Sequence, residues 1–145
     1  MFKHILVPVD GSPTAELAVE KAIGLAKVFG SRVSAIFVID PYPFTGIGTD
    51  FAYGQAEYLS AATAEANAAI KSAKTAFEQA GLSVDASVVE SHAAWRGVVD
   101  SAQSMQADLI VMGSHGRSGL EKLVLGSVTQ AVLSHTKLPV LVVRG

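Results

Sequence analysis

Five short apolar runs alternate along this chain with longer segments of helical period. Most of these runs carry valine, isoleucine or leucine at successive positions, a pattern typical of strands that are buried on both faces of a sheet, whereas the run at residues 84–89 shows only a weaker alternation. The predicted strands cover residues 5–9, 33–39, 84–89, 109–112 and 140–143.

Helices are predicted between these strands. Ser12 followed by Pro13 marks the first helix start, because serine accepts from free backbone N–H groups and proline lacks the N–H that would have no partner there. This helix ends near Gly30. The others cover about 56–80, about 94–106 and a segment that starts at residue 127. Residues 41–54 combine proline, glycine and aromatic residues without a steady period, which predicts a long loop.

The alternation of strand and helix, without repeats or a linker, predicts an α/β fold in one domain over residues 1–145. The expected architecture is a three-layer α/β/α arrangement, Rossmann-like, around a five-stranded parallel sheet. Right-handed crossovers favour the strand order 3-2-1-4-5. In that order the chain reverses its direction of travel between strands 1 and 4, and ligands bind outside the carboxyl ends of such strands. Those ends carry Asp10 and Gly113.

Composition narrows the class of protein. The chain has no cysteine, a net charge of −2 and no cluster of basic residues, which argues against disulfides and against a nucleic-acid partner. No apolar run is long enough for a membrane span, and the N-terminal strand leaves no room for a signal peptide, so we expect a cytoplasmic protein. Charged residues make up 17%, below the roughly 25% of soluble domains. This low share fits either an alanine-rich surface or one that another subunit covers.

The segment from Gly113 to Thr129 carries the candidate chemistry. It leaves a buried strand, is punctuated by glycines, and returns at a helix N-terminus, where free N–H groups and the helix dipole favour an anion. Ser127 and Thr129 add hydroxyl donors, and Arg117 or Lys122 could add positive charge. The pattern favours a phosphate site over the alternative that the glycines serve only a tight turn.

Several nucleotide and hydrolase motifs are absent from the sequence. There is no Gly-x4-Gly-Lys-Ser/Thr of a P-loop and no Gly-x-Gly-x-x-Gly after the first strand. Residues 116–119 are one residue short of a Gly-x-Ser-x-Gly nucleophile elbow. The sequence therefore indicates a cradle for phosphate without a convincing general base.

The glycine spacing resembles a known family. Gly113-x2-Gly116-x9-Gly126-Ser127 matches the pattern Gly-x2-Gly-x9-Gly-Ser/Thr of the nucleotide-binding branch of the universal stress proteins. Residues 5–12, 38–40 and 138–143 are similar to that family's first, second and last strands, so the resemblance covers the whole chain. It implies the adenine nucleotide alpha hydrolase-like fold and ATP as the ligand, with Mg²⁺ held by the phosphates. It also implies a homodimer and client proteins that the sequence does not identify.

The resemblance also implies a role for particular residues. Asp10 would contact ribose, the backbone of Val38 would recognise the adenine edge, and Met112 would pack against the nucleoside. The phosphates would lie on the glycine segment. The full implied nucleotide-binding set is Pro8, Val9, Asp10, Val38, Met112, Gly113, Ser114, His115, Gly116, Arg117, Gly126, Ser127, Val128 and Thr129.

Some of these residues also have a simpler interpretation. Asp10 could cap a turn through its side chain, and His115 could be a surface loop residue. Trp95 is interpreted as helix packing. The remaining histidines have no ligand-like spacing, so no metal site built by the protein is expected: His4, His92 and His135. The aromatic residues of the predicted loop either form a lid over the pocket or cover an apolar surface: Tyr42, Phe44, Phe51 and Tyr53.

Three functions remain open at this point. The favoured one is an ATP-binding regulatory dimer. The second is a slow ATPase or self-phosphorylating protein with Ser127 or Thr129 as acceptor, and the third is a protein-interaction module with an empty site. The dimer is expected to form through Val140–Val143, an apolar edge strand guarded only by Pro139 at its start. The helix predicted over 56–80 is the alternative interface.

Overall fold

The computed structural model describes residues 1–41, 49–115 and 125–145, and within them the alternation of strand and helix is confirmed. The elements are β1 His4–Pro8, α1 Pro13–Phe29, β2 Arg32–Ile39, α2 Thr49–Gln79, β3 Asp85–Glu90, α3 Ala94–Met105, β4 Leu109–Gly113, α4 Ser127–His135 and β5 Val140–Val143. In the described part of the chain, no helix is long and apolar enough to cross a membrane.

The sheet has the order β3-β2-β1-β4-β5 with every pair parallel, which confirms the predicted fold and topology. Ile5 of β1 pairs with Val33 on one side and with Leu109 on the other. The direction of travel reverses between β1 and β4, as expected. The carboxyl ends of these two strands therefore lie side by side.

An apolar layer covers each face of the sheet. β1 contributes to both layers, because successive side chains of a strand point to opposite faces. Ile5 and Val7 pack in the layer built with α1 and α2, whereas Leu6 packs in the layer built with α3 and α4. All three side chains are fully buried. Apolar residues at successive positions are thus explained by a strand with helices on both faces.

The ends of α1 follow the sequence signals. The Ser12 side chain accepts from Ala15 N–H at 3.2 Å, and Pro13 occupies the first helical position. Gly30 closes the helix with φ 67°, a left-handed conformation that glycine adopts without steric cost. The start of α1 is therefore held next to the carboxyl end of β1.

The prediction of a loop over 41–54 is wrong for residues 49–54, which form the first turns of α2. Glycine costs a helix interior only about 1 kcal/mol relative to alanine, so Gly54 does not stop a helix that is anchored further along by buried Ala66, Ala73 and Phe77. Each residue added to an existing helix also gains a hydrogen bond. The suggested lid falls outside the described residues and side chains: Tyr42, Phe44, Phe51 and Tyr53.

The amino-terminal edge of the sheet is tied by one carboxylate. Asp108 accepts from the backbone N–H groups of Lys3 at 2.8 Å and His4 at 3.0 Å, joining β4 to β1. Burial opposes ionisation of this group, but the backbone hydrogen bonds outweigh it and lower the pKa of Asp108 below its ordinary value. The buried His4 ring bonds to Met105 O at 3.1 Å and Ser34 Oγ at 2.8 Å, so this histidine has a structural role.

The Asp108→Asn variant tests this tie. A carboxyl with a lowered folded-state pKa contributes stability above its unfolded pKa of about 3.9, and the contribution is lost as pH falls through the folded value. We expect the free energy of unfolding in urea to fall by about 1–2 kcal/mol at neutral pH, and the difference from wild type to shrink below about pH 4. Asp100→Asn, on the exposed face of α3, is the control and should leave stability unchanged. An equally stable Asp108→Asn protein at neutral pH contradicts the assignment.

Candidate functional site

A cavity of about 110 Å³ opens where the carboxyl ends of β1 and β4 meet. It is lined by residues from β1, β2, α1, α3, β4 and α4 and from the connections after the strands. The lining residues are Pro8, Val9, Asp10, Ser12, Ala15, Val38, Ala94, Val98, Met112, Gly113, His115, Val128 and Thr129. Nine of the fourteen residues in the implied nucleotide-binding set therefore meet around one space. Their roles in binding stay a prediction.

Asp10 has the turn geometry of its simpler interpretation. Its Oδ1 accepts from Ser12 N–H at 2.9 Å, which shapes the turn between β1 and α1. Gly11 between them has φ 81°, in the left-handed region that favours glycine. A carboxylate has two oxygens with about four acceptor positions, so this bond leaves Asp10 with acceptor capacity at the cavity.

Gly113 lets α1 approach the end of β4 closely. A Cβ at this position would lie 2.5 Å from Thr14 Oγ1 and 2.9 Å from the Thr14 carbonyl carbon, closer than packed atoms can come. The Thr14 hydroxyl in turn donates to the carbonyl oxygen of His115. This glycine thus has a packing reason within the chain, independent of any ligand.

The two ends of the glycine segment are held together. Gly126 N–H donates to Ser114 O at 2.8 Å, and a Cβ on Gly126 would lie 3.0 Å from the Cα of His115. Ser114 N–H is bonded to Val143 O of β5 at 2.8 Å. Close approach to His115 therefore gives Gly126 a packing reason within the chain. Residues 116–124 lie outside the described part of the chain, among them Gly116, Arg117, Ser118, Gly119 and Lys122.

His115 is positioned from both its backbone and its ring. Its carbonyl is bonded to Thr14, and its Nδ1 lies 3.1 Å from Ser114 Oγ. His115 also lines the cavity. Ser114 itself is 3% exposed and supports the ring.

Residues at the start of α4 differ in what they offer. Thr129 is 2% exposed and its hydroxyl donates to Gly113 O at 2.9 Å, so it ties α4 to β4. Ser127, the first helical residue, is exposed. Gly126 is the N-cap and has no side chain that could bond the first N–H groups of α4. Because the first N–H groups of a helix have no partner within the helix, those of α4 can bond to an anion or to water. Of the two suggested phosphoryl acceptors, Ser127 is the accessible one.

One side of the cavity is apolar. Val38 of β2 packs in the same apolar layer as Val98 of α3, and Ala94, Met112 and Val128 also line the cavity with apolar side chains. Gly97 permits this close packing, since a Cβ there would lie 2.7 Å from Val38 Cγ1. Four lining residues are not in the implied nucleotide-binding set: Ser12, Ala15, Ala94 and Val98. The sequence signal for Ala94 and Val98 was the predicted helix that starts after strand 3, because the carboxyl end of that strand lies at the same edge of the sheet.

Other candidate residues lie elsewhere. Trp95 stacks on His135 with ring centroids 4.0 Å apart and planes at 25°, and Arg96 lies 5.2 Å from the Trp95 ring, which agrees with helix packing. His92 pairs with Asp40 at 3.6 Å. Within residues 1–41, 49–115 and 125–145, no three histidine, cysteine or acidic side chains are grouped to hold a metal ion.

Comparison with known proteins identifies relatives. The model of the Universal stress protein family matches residues 1–144. Universal stress protein MJ0531 of Methanocaldococcus jannaschii is 37% identical over 145 residues, which cover 99% of this chain and 83% of that protein.

Two solved structures share the fold. Hypothetical protein MJ0577 of the same organism superposes with a TM-score of 0.85 at 32% identity, covering 100% of this chain and 97% of that one. A universal stress protein in complex with cAMP superposes with a TM-score of 0.70 at 24% identity, covering 99% and 96%. With the sheet order and a family match over residues 1–144, these similarities show that this chain belongs to the universal stress protein family.

Proposed function

We propose that this chain binds an adenine nucleotide, ATP, in the cavity at the carboxyl ends of β1 and β4, and that it works as a small regulatory stress-response dimer. The observation that carries the proposal is the meeting of an apolar wall, a carboxylate and a helix N-terminus around one space at the reversal of the sheet. Nucleotides combine an apolar base, a hydroxylated sugar and anionic phosphates, and each of these has a matching partner here.

The base fits the apolar wall. Val38, Val98 and Met112 offer side chains from the apolar layer built with α3 and α4, and Pro8 and Val9 border the same space. Specific sites combine such walls with a few polar groups that set orientation. The cavity of about 110 Å³ is below the roughly 300 Å³ of a typical ligand pocket. We therefore place the base inside and the phosphates along the surface.

The ribose fits Asp10, which already has Oδ1 fixed by Ser12 N–H. An ionised acceptor held in place loses little freedom when a sugar hydroxyl donates to it, and hydrogen bonds to charged groups are stronger than neutral ones. The turn between β1 and α1 thus prepares the carboxylate for this contact.

The phosphates fit the start of α4, where the N–H groups of Ser127 and Val128 and the helix dipole favour negative charge. His115 lines the same cavity and adds a polar ring. Mg²⁺ would be held by the phosphates themselves. Gly116 and Arg117 belong to the same proposal through the glycine spacing. The universal stress protein solved in complex with cAMP supports it, since that protein binds an adenine nucleotide on this fold.

Binding is favoured over efficient catalysis. The chain lacks the P-loop lysine, and the Ser114 hydroxyl that contacts His115 is buried. A nucleophile needs access to the reacting atom as well as a base. We therefore propose that the bound nucleotide is sensed, with hydrolysis slow at most.

The Ala94→Trp variant tests the base site. Ala94 is exposed and lines the apolar wall, so a bulky ring there should fill the space without disturbing the core. Calorimetry should give one ATP per wild-type chain and a loss of at least about tenfold in ATP affinity for Ala94→Trp. In a separate assay, the rate of ATP hydrolysis should be far below about 10 s⁻¹. Ala64→Trp, on an exposed part of α2, is the matched control. Equal affinity in all three proteins would show that the base lies elsewhere.

The Asp10→Ala variant tests the ribose contact. We expect ATP binding to weaken by about 1–3 kcal/mol, because a charged acceptor is lost. Asp10→Asn keeps an oxygen for Ser12 N–H and removes only the charge, so it separates sugar recognition from the turn. Wild type should prefer ATP over 2′-deoxy-ATP in the same titration, and equal affinity for the two nucleotides would sink this role.

The proposed dimer forms through β5, whose outer edge carries apolar side chains. Leu141 is 38% exposed, and Leu133 on the adjacent α4 is 42% exposed. Since the carbonyls of Pro139 and Val143 accept from β4, the alternation along a strand turns the N–H and C=O groups of Val142 to the free edge. An unpaired apolar edge is a template for pairing with a second copy.

The Val142→Pro variant tests this interface. Proline removes an outward-facing donor without removing a bond to β4. We expect light scattering to show a wild-type dimer at micromolar concentration and a folded monomer for Val142→Pro. Val88→Pro is the matched control, because Val88 lies on β3 at the opposite edge of the sheet. A wild-type monomer excludes the dimer, and a Val142→Pro dimer excludes this interface.

A further inference from the structure

A second and larger cavity, of about 560 Å³, lies between α1 and α2. These helices pack on the face of the sheet opposite to α3. The cavity touches the nucleotide site only at the end of β1, where Val9, Asp10 and Ala15 line both spaces. We call it the α1–α2 groove.

The groove exists because small side chains face each other across it. Its floor is formed by Val19 of α1 and by alanines of α2, among them Ala69, Ala73 and Ala76. Both helices pack on the same sheet, which fixes the distance between them. Alanine side chains end at the Cβ atom and are too short to fill this distance, so a gap remains. The result is an apolar floor with a volume inside the roughly 300–1,000 Å³ of small-molecule sites.

The rim of the groove is acidic. Glu16 and Glu20 lie one turn apart on α1, and Glu65 lies across from them on α2. Asp10 adds a carboxylate at the end near the sheet, and the lining includes no lysine, arginine or histidine. Among the described residues, neither Glu16 nor Glu20 takes part in an ion pair.

We propose that the α1–α2 groove binds an organic dication with an apolar body, such as an alkyl diamine. Methylene groups would cover the alanine floor, and burial of apolar surface stabilises by about 25 cal/mol per Å². The terminal cations would pair with carboxylates on the rim, whereas phosphates and other anions would be repelled. The overall charge of −2 is modest, so the attraction comes from the local arrangement of Glu16 and Glu20 and not from the whole surface.

The ligand pair octane-1,8-diamine and octane-1,8-diol tests the chemistry. Both have the same apolar body, and only the diamine is charged at neutral pH. Calorimetry on the full chain without nucleotide should show at least about tenfold tighter binding of the diamine, and added salt should reduce the difference. Equal binding of the two ligands, or no binding of the diamine at about 10 mM, overturns the proposal.

Two pairs of variants test the location. The first pair consists of double variants. Diamine binding should weaken at least about tenfold in the double variant Glu16→Gln/Glu20→Gln. The control double variant, Glu78→Gln/Glu90→Gln, changes the net charge equally but outside the groove, so it should bind the diamine as wild type does. Ser72→Trp should close the groove, and Ala64→Trp on the same helix should not. All six substituted residues are exposed, so the four variants should fold. Diamine binding that survives both groove changes refutes the assignment, whatever the outcome of the ATP titrations.

Discussion

The pairing of β1 with a parallel neighbour on each side is the constraint on which the rest of this structure depends. β1 is buried on both faces and bonded along both edges, to β2 and to β4. A short apolar strand can have this position only if helices cover the sheet above and below. Because the chain travels outward from β1 in both directions, two carboxyl ends meet beside each other and leave a space between their connections.

The walls of that space come from close backbone approach. Gly113 brings the start of α1 against β4, and Gly97 brings α3 against Val38. These glycines set distances between elements before any ligand is present. Hydrogen bonds from Ser12 N–H to Asp10 and from the Thr14 hydroxyl to the His115 carbonyl hold the two residues proposed to recognise a nucleotide at the cavity. Such preorganisation lowers the entropic cost of binding.

The sequence predicted most of the local structure and the topology. Ser12-Pro13 and Gly30 set the limits of α1 through backbone chemistry that acts within a few residues. The apolar runs identified the strands, of which β1 and β4 are buried while β3 is mostly exposed at the edge of the sheet. Right-handed crossovers restricted the topology to few choices, among which the observed order was the expected one. The start of α2 was placed too late, because proline and glycine were weighed locally while the helix is stabilised by core contacts of Ala66, Ala73 and Phe77.

What the sequence determined by itself was therefore the elements, their order and the residues at the carboxyl edge of the sheet, since these depend on periodicity and on neighbours in the chain. Tertiary structure decided the rest. It placed Ala94 and Val98 around the same cavity as Met112, bonded the Thr129 hydroxyl to Gly113 O, and left a gap between α1 and the alanines of α2. These features depend on distances between segments far apart in the chain, and no local pattern of residue types encodes such distances.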